Sequence, residues 1–449
     1  MVHGMESNNP VTEVSDQPTR RRIWRPAMGI AAAAAIATVG IAQPWHTSTR
    51  PALRPVAQLA AASTAAARSA GTAAVRTPGT TTPVTPVASP GQPVAPVVPV
   101  QPNAVTVSLP TTLTAPGAAP KLPWPSRGQA SIGLAGIGTF GASGGDTPVP
   151  IASVAKSMTA YQILKDHPLK ANEDGPVIHV LPAEAAAYPH EVALNQSLVP
   201  VRSGEALTER QALNALMLAS ADNVAKILAR WDAGSVDAFL VKMNATAAAL
   251  GMKDTHYTDP SGYDAGTVST VADQIALADT AMKRADFVKV VSTQTAVIPV
   301  AGHIHNYNAL LGEQGVVGIK TGSMSAAGGC LLFAAKTEVG GQSVTILGTV
   351  LGQRSANMGI LGAAFSSSRD LLRAVHAAIK PVTVVKAGQV VGHADGHALV
   401  ATKAVTIPGW NGMKVDATIK ATIAADVAAG ALVGSMAVGQ VTVPVAVQA

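Results

Sequence analysis

Between Arg25 and Asp146 the chain carries no acidic residue, and Pro, Thr, Ala and Val dominate that stretch. Proline fixes φ and removes a backbone donor, so text such as TPGTTTPVTPVASPGQPVAPVVPVQP enters neither a helix nor the interior of a sheet. Large apolar side chains are too sparse there to build a core. Residues 50–125 are therefore expected to be a disordered Pro/Thr/Ala-rich tether, reaching on the order of 200 Å at roughly 3.1 Å per residue. The fold has to be built downstream of it.

The charge distribution agrees. The 449 residues hold 32 Lys+Arg against 26 Asp+Glu, a net +6, and residues 1–125 alone account for that excess with nine basic and three acidic residues. A nucleic-acid surface needs its positive charge on a folded face, so no nucleic-acid partner is expected. Charged residues make up 13% of the chain, about half of the roughly 25% typical of soluble domains. With 48% hydrophobic residues, there is ample material for a core.

Arg20, Arg21, Arg22 and Arg25 precede the apolar run AMGIAAAAAIATVGIA, Ala27 to Ala42, within an uncharged stretch over 26–49. About 20 apolar residues span a bilayer, and clustered arginines stay on the cytoplasmic side. Residues 1–25 are expected to be a cytoplasmic basic tail and 26–49 a transmembrane anchor or signal segment, with everything after it extracytoplasmic. Gly40-Ile41-Ala42 is a small-x-small site, so secretion after signal cleavage stays open. A buried Ala-rich helix is the third reading, and the run lacks the polar face that would accompany it.

The single Cys330 excludes a disulfide within the chain and reads as a small buried apolar residue. His303-Ile304-His305 would put two imidazoles on one face of a strand, a pair more often structural than ligating. No HExxH and no Cys/His cluster is present, so no metal and no organic cofactor are expected.

Three pieces carry chemistry. Ser153 and Lys156, in the small and apolar stretch PIASVAKSMTA, stand at i and i+3 and project from one face of a helix start. An amine there can take the proton of an otherwise poor serine nucleophile. Alone, Ser-x-x-Lys is weak, because a helix-capping serine followed by a solvated lysine has the same spelling. Thr208 to Leu218 reads as a helix, and Ser220-Ala221-Asp222-Asn223 breaks it before a second one that runs to Trp231, putting polar side chains on a short turn facing a cleft. Further on, Lys320-Thr321-Gly322-Ser323 ends a β-branched run. Lys320 and Thr321 offer a charge and a hydroxyl to an anion, and Gly322 leaves the strand bare for another backbone to approach.

Ser-x-x-Lys, a Ser-x-Asn-like element and Lys-Thr-Gly in this order resemble the signature of penicillin-binding proteins and serine β-lactamases. The surrounding text is closer to the low-molecular-mass D-alanyl-D-alanine carboxypeptidases of the penicillin-binding protein 5 type, peptidase family S11. Met243-Asn244-Ala245, Leu250-Gly251-Met252, Thr255-His256-Tyr257, Asp259-Pro260-Ser261-Gly262, Ser269-Thr270 and the run Gly318 to Leu331 carry this likeness, which covers roughly residues 126–378. It implies an α/β fold: an antiparallel sheet flanked by helices, with a helical lobe and the site between them.

By the same resemblance, Ser153 attacks the carbonyl of the penultimate D-Ala, with neutral Lys156 as its base, and Ser220 passes a proton to the leaving amine. Lys320 and Thr321 hold the terminal carboxylate, and the N–H groups of Ser153 and Ser323 form the oxyanion hole. The implied partners are peptidoglycan stem peptides ending in D-Ala-D-Ala, β-lactams as covalent inhibitors, and the membrane through the N-terminal segment. Asp222 departs from the pattern, which has Asn there. A carboxylate only accepts hydrogen bonds and pairs with Lys156 or Lys320, so altered substrate geometry or weaker penicillin acylation is expected.

After residue 379 the text becomes Val-rich alternation broken by glycine, and Val384 to Gly392 is echoed by Asp426 to Gly434. Residues 379–449 are expected to form a small all-β domain with a pseudo-repeat. The amphipathic C-terminal membrane helix usual in the family is not visible after Val433, so anchoring is expected to fall to the N-terminal segment. Two other readings share these motifs: a β-lactamase or transpeptidase of the same fold, and a non-catalytic wall-binding protein.

Overall fold

The computed structural model describes residues 104–449. The expected leader, and the tether as far as residue 103, lie outside the described residues. Among the described residues no helix is long and apolar enough to cross a membrane.

A five-stranded sheet, antiparallel throughout, supports the site. Its strands run in the order Val316–Met324, Gly328–Val339, Gln342–Gln353, Gln129–Leu134 and Gly138–Ser143. The central strand GGCLLFAAKTEV shows why it reads as a continuous apolar run. Side chains alternate across a sheet, and both faces here are covered. Cys330, Leu332 and Ala334 enter the core shared with the helical lobe, and Leu331, Phe333 and Ala335 enter the core on the other side. On the latter face the helix Ile360–Ala378 packs through Ala364, Leu371, Leu372 and Val375. Gly348 has to be bare there, since a Cβ would stand 2.1 Å from the Phe333 ring.

The helical lobe surrounds Lys156–Asp166, a helix buried on all sides from Lys156 to Leu164. A polar residue inside such a helix therefore needs partners in the core. Around it stand Glu209–Met217, Asp222–Ala233 and Val236–Ala249. Their starts follow capping rules: Thr208 and Gln211 form a reciprocal box, and Ser235 Oγ accepts from the Ala238 N–H. The helix expected from Thr208 to Leu218 thus begins one residue later, with Thr208 as its cap.

The tether expectation needs correction at its end. Val105–Thr114 is a strand, paired antiparallel with Lys414–Ile423 along its whole length from Val105↔Ile423 to Thr114↔Lys414. It lies at one edge of a six-stranded sheet whose other members are Lys414–Ile423, Leu432–Val438, Val441–Val447, His397–Ala401 and Val390–Ala394. An edge strand tolerates Pro110, so proline content alone does not exclude pairing. Ala115 is buried, and Leu122 and Trp124 pack on the same core. The all-β region after residue 379 is therefore completed by a strand from the opposite end of the described chain. Within it Lys414–Ile423 alternates cleanly, burying Val415, Ala417, Ile419, Ala421 and Ile423. Phe140 of the five-stranded sheet stacks on Trp410, ring centroids 3.7 Å apart, across the junction. The two echoing segments both lead through a Gly turn into a strand, one at the sheet edge and one inside it.

Candidate active site

Ser153 lies in a single 3-10 turn, Ala152–Ala155, leading into the helix that begins at Lys156. Two glycine backbones clamp that turn. A Cβ on Gly262 would meet Ala152 O at 1.8 Å, and one on Gly322 would meet Ile151 O at 2.9 Å and the nitrogens of Ser153 and Val154 at 3.0 Å. The close approach expected of Gly322 is therefore made against the backbone of the turn that carries Ser153. Ala152 is held at φ +47°, in the left-handed region that non-glycine residues rarely adopt.

The Lys156 amine is fully buried and donates to three oxygens: Ser153 Oγ at 2.9 Å, Asp222 Oδ1 at 2.5 Å and Ser261 O at 2.8 Å. Asp222 opens the helix Asp222–Ala233 and is itself buried. Its second oxygen, Oδ2, accepts the Ser197 N–H at 3.0 Å, and its own N–H donates to Ser197 O at 2.7 Å. Of the two expected partners for Asp222, the structure selects Lys156. Asn223 does not substitute for the Asn of the motif. It points away, with its amide donating to Val199 O at 2.8 Å and its oxygen accepting the Val199 N–H.

Ser220 is buried on the turn before Asp222, at φ +60°. The three Lys156 donors go elsewhere, so Ser220 reaches this cluster through the chain rather than through a bond to the lysine. Lys320 and Thr321 are buried in the edge strand Val316–Met324, and the Lys320 amine donates to Thr321 O at 3.1 Å. Burial holds that amine well below the usual lysine range; the positive charge of Lys156 adds to the effect and Asp222 opposes it. Ser323 follows, exposed on the wall of the cleft.

That cleft has a volume of ≈ 770 Å³ and is lined by Ser153, Ser197, Asp222, Tyr263 and Ser323, among others. Ser153, Lys156, Asp222 and Gly322 are thus brought into contact, Lys320 lies close enough to feel the charges of the pair, and Ser220 sits on the adjoining turn. Several contributors carry no motif. Ser197 fixes Asp222 through its backbone, which any residue type supplies. The loop from Asp259 was legible as part of the family likeness but not as a support for Lys156. The Asp259 carboxylate accepts from the N–H groups of Ser261, Gly262 and Tyr263 and from the hydroxyls of Ser261 and Thr267, which aims Ser261 O at the amine. Arg354 donates to Ser325 O and Ala326 O and braces the turn after Ser323.

His303 and His305 are exposed on the strand Gly302–His305, and among the described residues no group of three or more His, Cys, Asp or Glu is arranged to hold a metal. Cys330 is fully buried, and burial pushes its thiol up to about 12. It behaves as the small apolar residue expected.

The family model described as D-alanyl-D-alanine carboxypeptidase matches residues 141–354, which contain all of these side chains. A D-alanyl-D-alanine carboxypeptidase of Streptomyces sp. strain K15 is 34% identical over 227 residues, 47% of this chain and 75% of the relative. One from Mycobacterium tuberculosis is 36% identical over 136 residues, 29% of this chain and 46% of that protein. In fold, penicillin binding protein 5 from Haemophilus influenzae superposes with a TM-score of 0.54 at 19% identity, covering 74% of this chain and 98% of the other. The chain belongs to the D-alanyl-D-alanine carboxypeptidase family of serine peptidases.

Proposed function

We propose that this carboxypeptidase removes the terminal D-alanine of peptidoglycan stem peptides through an acyl-enzyme on Ser153, working outside the membrane to which residues 26–49 attach it. The observation that carries the proposal is the 2.9 Å contact between Lys156 Nζ and Ser153 Oγ at the edge of the cleft. A serine hydroxyl needs a base, and this amine is the only side chain bonded to it among the described residues. Ser153 Oγ attacks the carbonyl of the penultimate D-Ala, and Lys156 takes its proton. The C–N bond breaks as Ser220 protonates the departing amine. Lys320 and Thr321 face the terminal carboxylate, and the N–H groups of Ser153 and Ser323 hold the oxyanion. Water then releases the shortened peptide.

The test is incubation of the protein with a diacetyl-Lys-D-Ala-D-Ala peptide and with a fluorescent penicillin. Free D-Ala and a covalent label, both lost in Ser153→Ala, are expected; labelling that survives Ser153→Ala would refute the assignment of the nucleophile. Rapid penicillin turnover without D-Ala release would mark a β-lactamase instead. For the membrane, fractionation with N-terminal sequencing is expected to recover an intact leader with the bilayer. A mature N-terminus just after Ala42 would mark a secreted protein.

A further inference from the structure

Resting on the acyl-enzyme reading above, we propose that Asp222 is a positioning residue that receives a proton from Lys156, so that the lysine acts as a base only as one half of a carboxylate–amine pair. The geometry around Nζ leads there. Its three acceptors, Ser153 Oγ, Asp222 Oδ1 and Ser261 O, match the three N–H bonds of an ammonium. An ammonium has no lone pair with which to take the Ser153 proton. Ser261 O is a peptide carbonyl and holds no proton, and Ser153 is the group to be activated. Asp222 is the remaining neighbour able to accept one.

The surroundings of residue 222 also favour a carboxylate over an amide. Oδ1 faces the Lys156 amine and Oδ2 faces the Ser197 N–H, two donors on two oxygens. An asparagine would satisfy one donor with its oxygen and turn its NH₂ against the other. The other ionisable groups around the pair are Lys320 on the edge strand and Asp259, Tyr263 and Asp264 on the cleft loop. None of them bonds to Lys156, and Asp259 spends its oxygens on its own loop.

In the step that follows, Lys156 passes one proton to Asp222 Oδ1, and the freed lone pair takes the Ser153 proton as the bond from Oγ to the carbonyl carbon forms. When the C–N bond breaks, the proton taken from Ser153 ends on the leaving amine by way of Ser220. The proton held by Asp222 then returns to Lys156. Ammonium and carboxylate are restored, and no outside acid or base is consumed.

In this step two protons move, from Ser153 to Lys156 and from Lys156 to Asp222; without the carboxylate only the first can move. The experiment measures acylation by a fluorescent penicillin in mixtures of light and heavy water, with D-Ala release from diacetyl-Lys-D-Ala-D-Ala followed alongside. In wild type and Asp222→Glu the acylation rate is expected to fall along a curve with the deuterium fraction; in Asp222→Asn and Asp222→Ala it is expected to fall along a straight line. Asp222→Ala carries the same expectation should the Asn variant fail to fold. A dependence in Asp222→Asn or Asp222→Ala of the same shape as wild type, however far the rate falls, overturns the proposal and leaves Asp222 a structural residue. A wild-type protein that neither labels nor releases D-Ala removes the parent reading instead, and this one with it.

Discussion

Gly322 and Ser153 approach so closely that a single Cβ on the glycine would stand 3.0 Å from the serine nitrogen. The neighbours it would meet are backbone atoms, which cannot rotate out of the way. Gly322→Ala is therefore expected to push the strand and the turn that carries Ser153 apart. Misplacement of a reacting group by about 1 Å costs on the order of a hundredfold, so a loss of at least about tenfold in the penicillin acylation rate is expected. An unchanged rate would show that the strand can shift without moving Ser153.

Asp259 gathers five donors on one carboxylate. Asp259→Ala leaves them without that acceptor, and destabilisation of about 1–3 kcal/mol is expected from denaturant unfolding. Activity should fall as well, because the loop sets the Ser261 carbonyl against the Lys156 amine. Asp259→Asn keeps part of the acceptor capacity and is expected to fall between the two; equal stability in wild type and the Ala variant would contradict this account.

Glu209 is fully buried, and neither carboxylate oxygen has a hydrogen-bond partner among the described residues. Burial pushes its carboxyl up to about 7 from 4.5; Arg210 opposes the shift, and Asp286 adds to it. A folded-state value above the unfolded one means stability that is fully present below about pH 4.5 and is lost as pH rises through about 7. Thermal unfolding should therefore show wild type losing Tm between about pH 5 and 8, and Glu209→Gln losing less over the same interval. Parallel curves for the two proteins would sink the prediction.

A chain cut to begin at residue 126, where the tether was expected to end, lacks Val105–Thr114 and buried Leu113 and Ala115. Removing the Leu113 side chain alone should cost at least about 2 kcal/mol. The strand Lys414–Ile423 becomes an unprotected edge, a template for aggregation. A chain beginning at residue 104 keeps the strand and should unfold at a higher Tm. Equal Tm and solubility for the two truncations would show the strand to be dispensable.

The motif residues were readable because their chemistry demands particular side chains. Ser153 and Lys156 share a helix face as their spacing implied, and the pairing of Asp222 with a lysine followed from its charge. Much of what holds them was not readable. Ser197 and Ser261 act through an N–H and a carbonyl, which every residue has, so no letter in the sequence marks them. Asn223 stands one place after the position where the pattern has Asn, but one step along a helix turns a side chain by about 100°, and its amide faces Val199 instead. The strand Val105–Thr114 was hidden for a different reason. Its partner lies some three hundred residues away, and its proline and threonine content resembles that of the segment before it. Local composition describes what a segment does alone and carries no information about a distant edge awaiting a strand.

That ladder has a mechanical consequence. Any tension transmitted along the chain from residues 1–103 enters the folded part at Val105 and meets the zipper between Val105–Thr114 and Lys414–Ile423 before it reaches Ser153. Under such a pull the β-region would serve as strain relief, yielding first while the clamped turn that carries Ser153 stays unloaded.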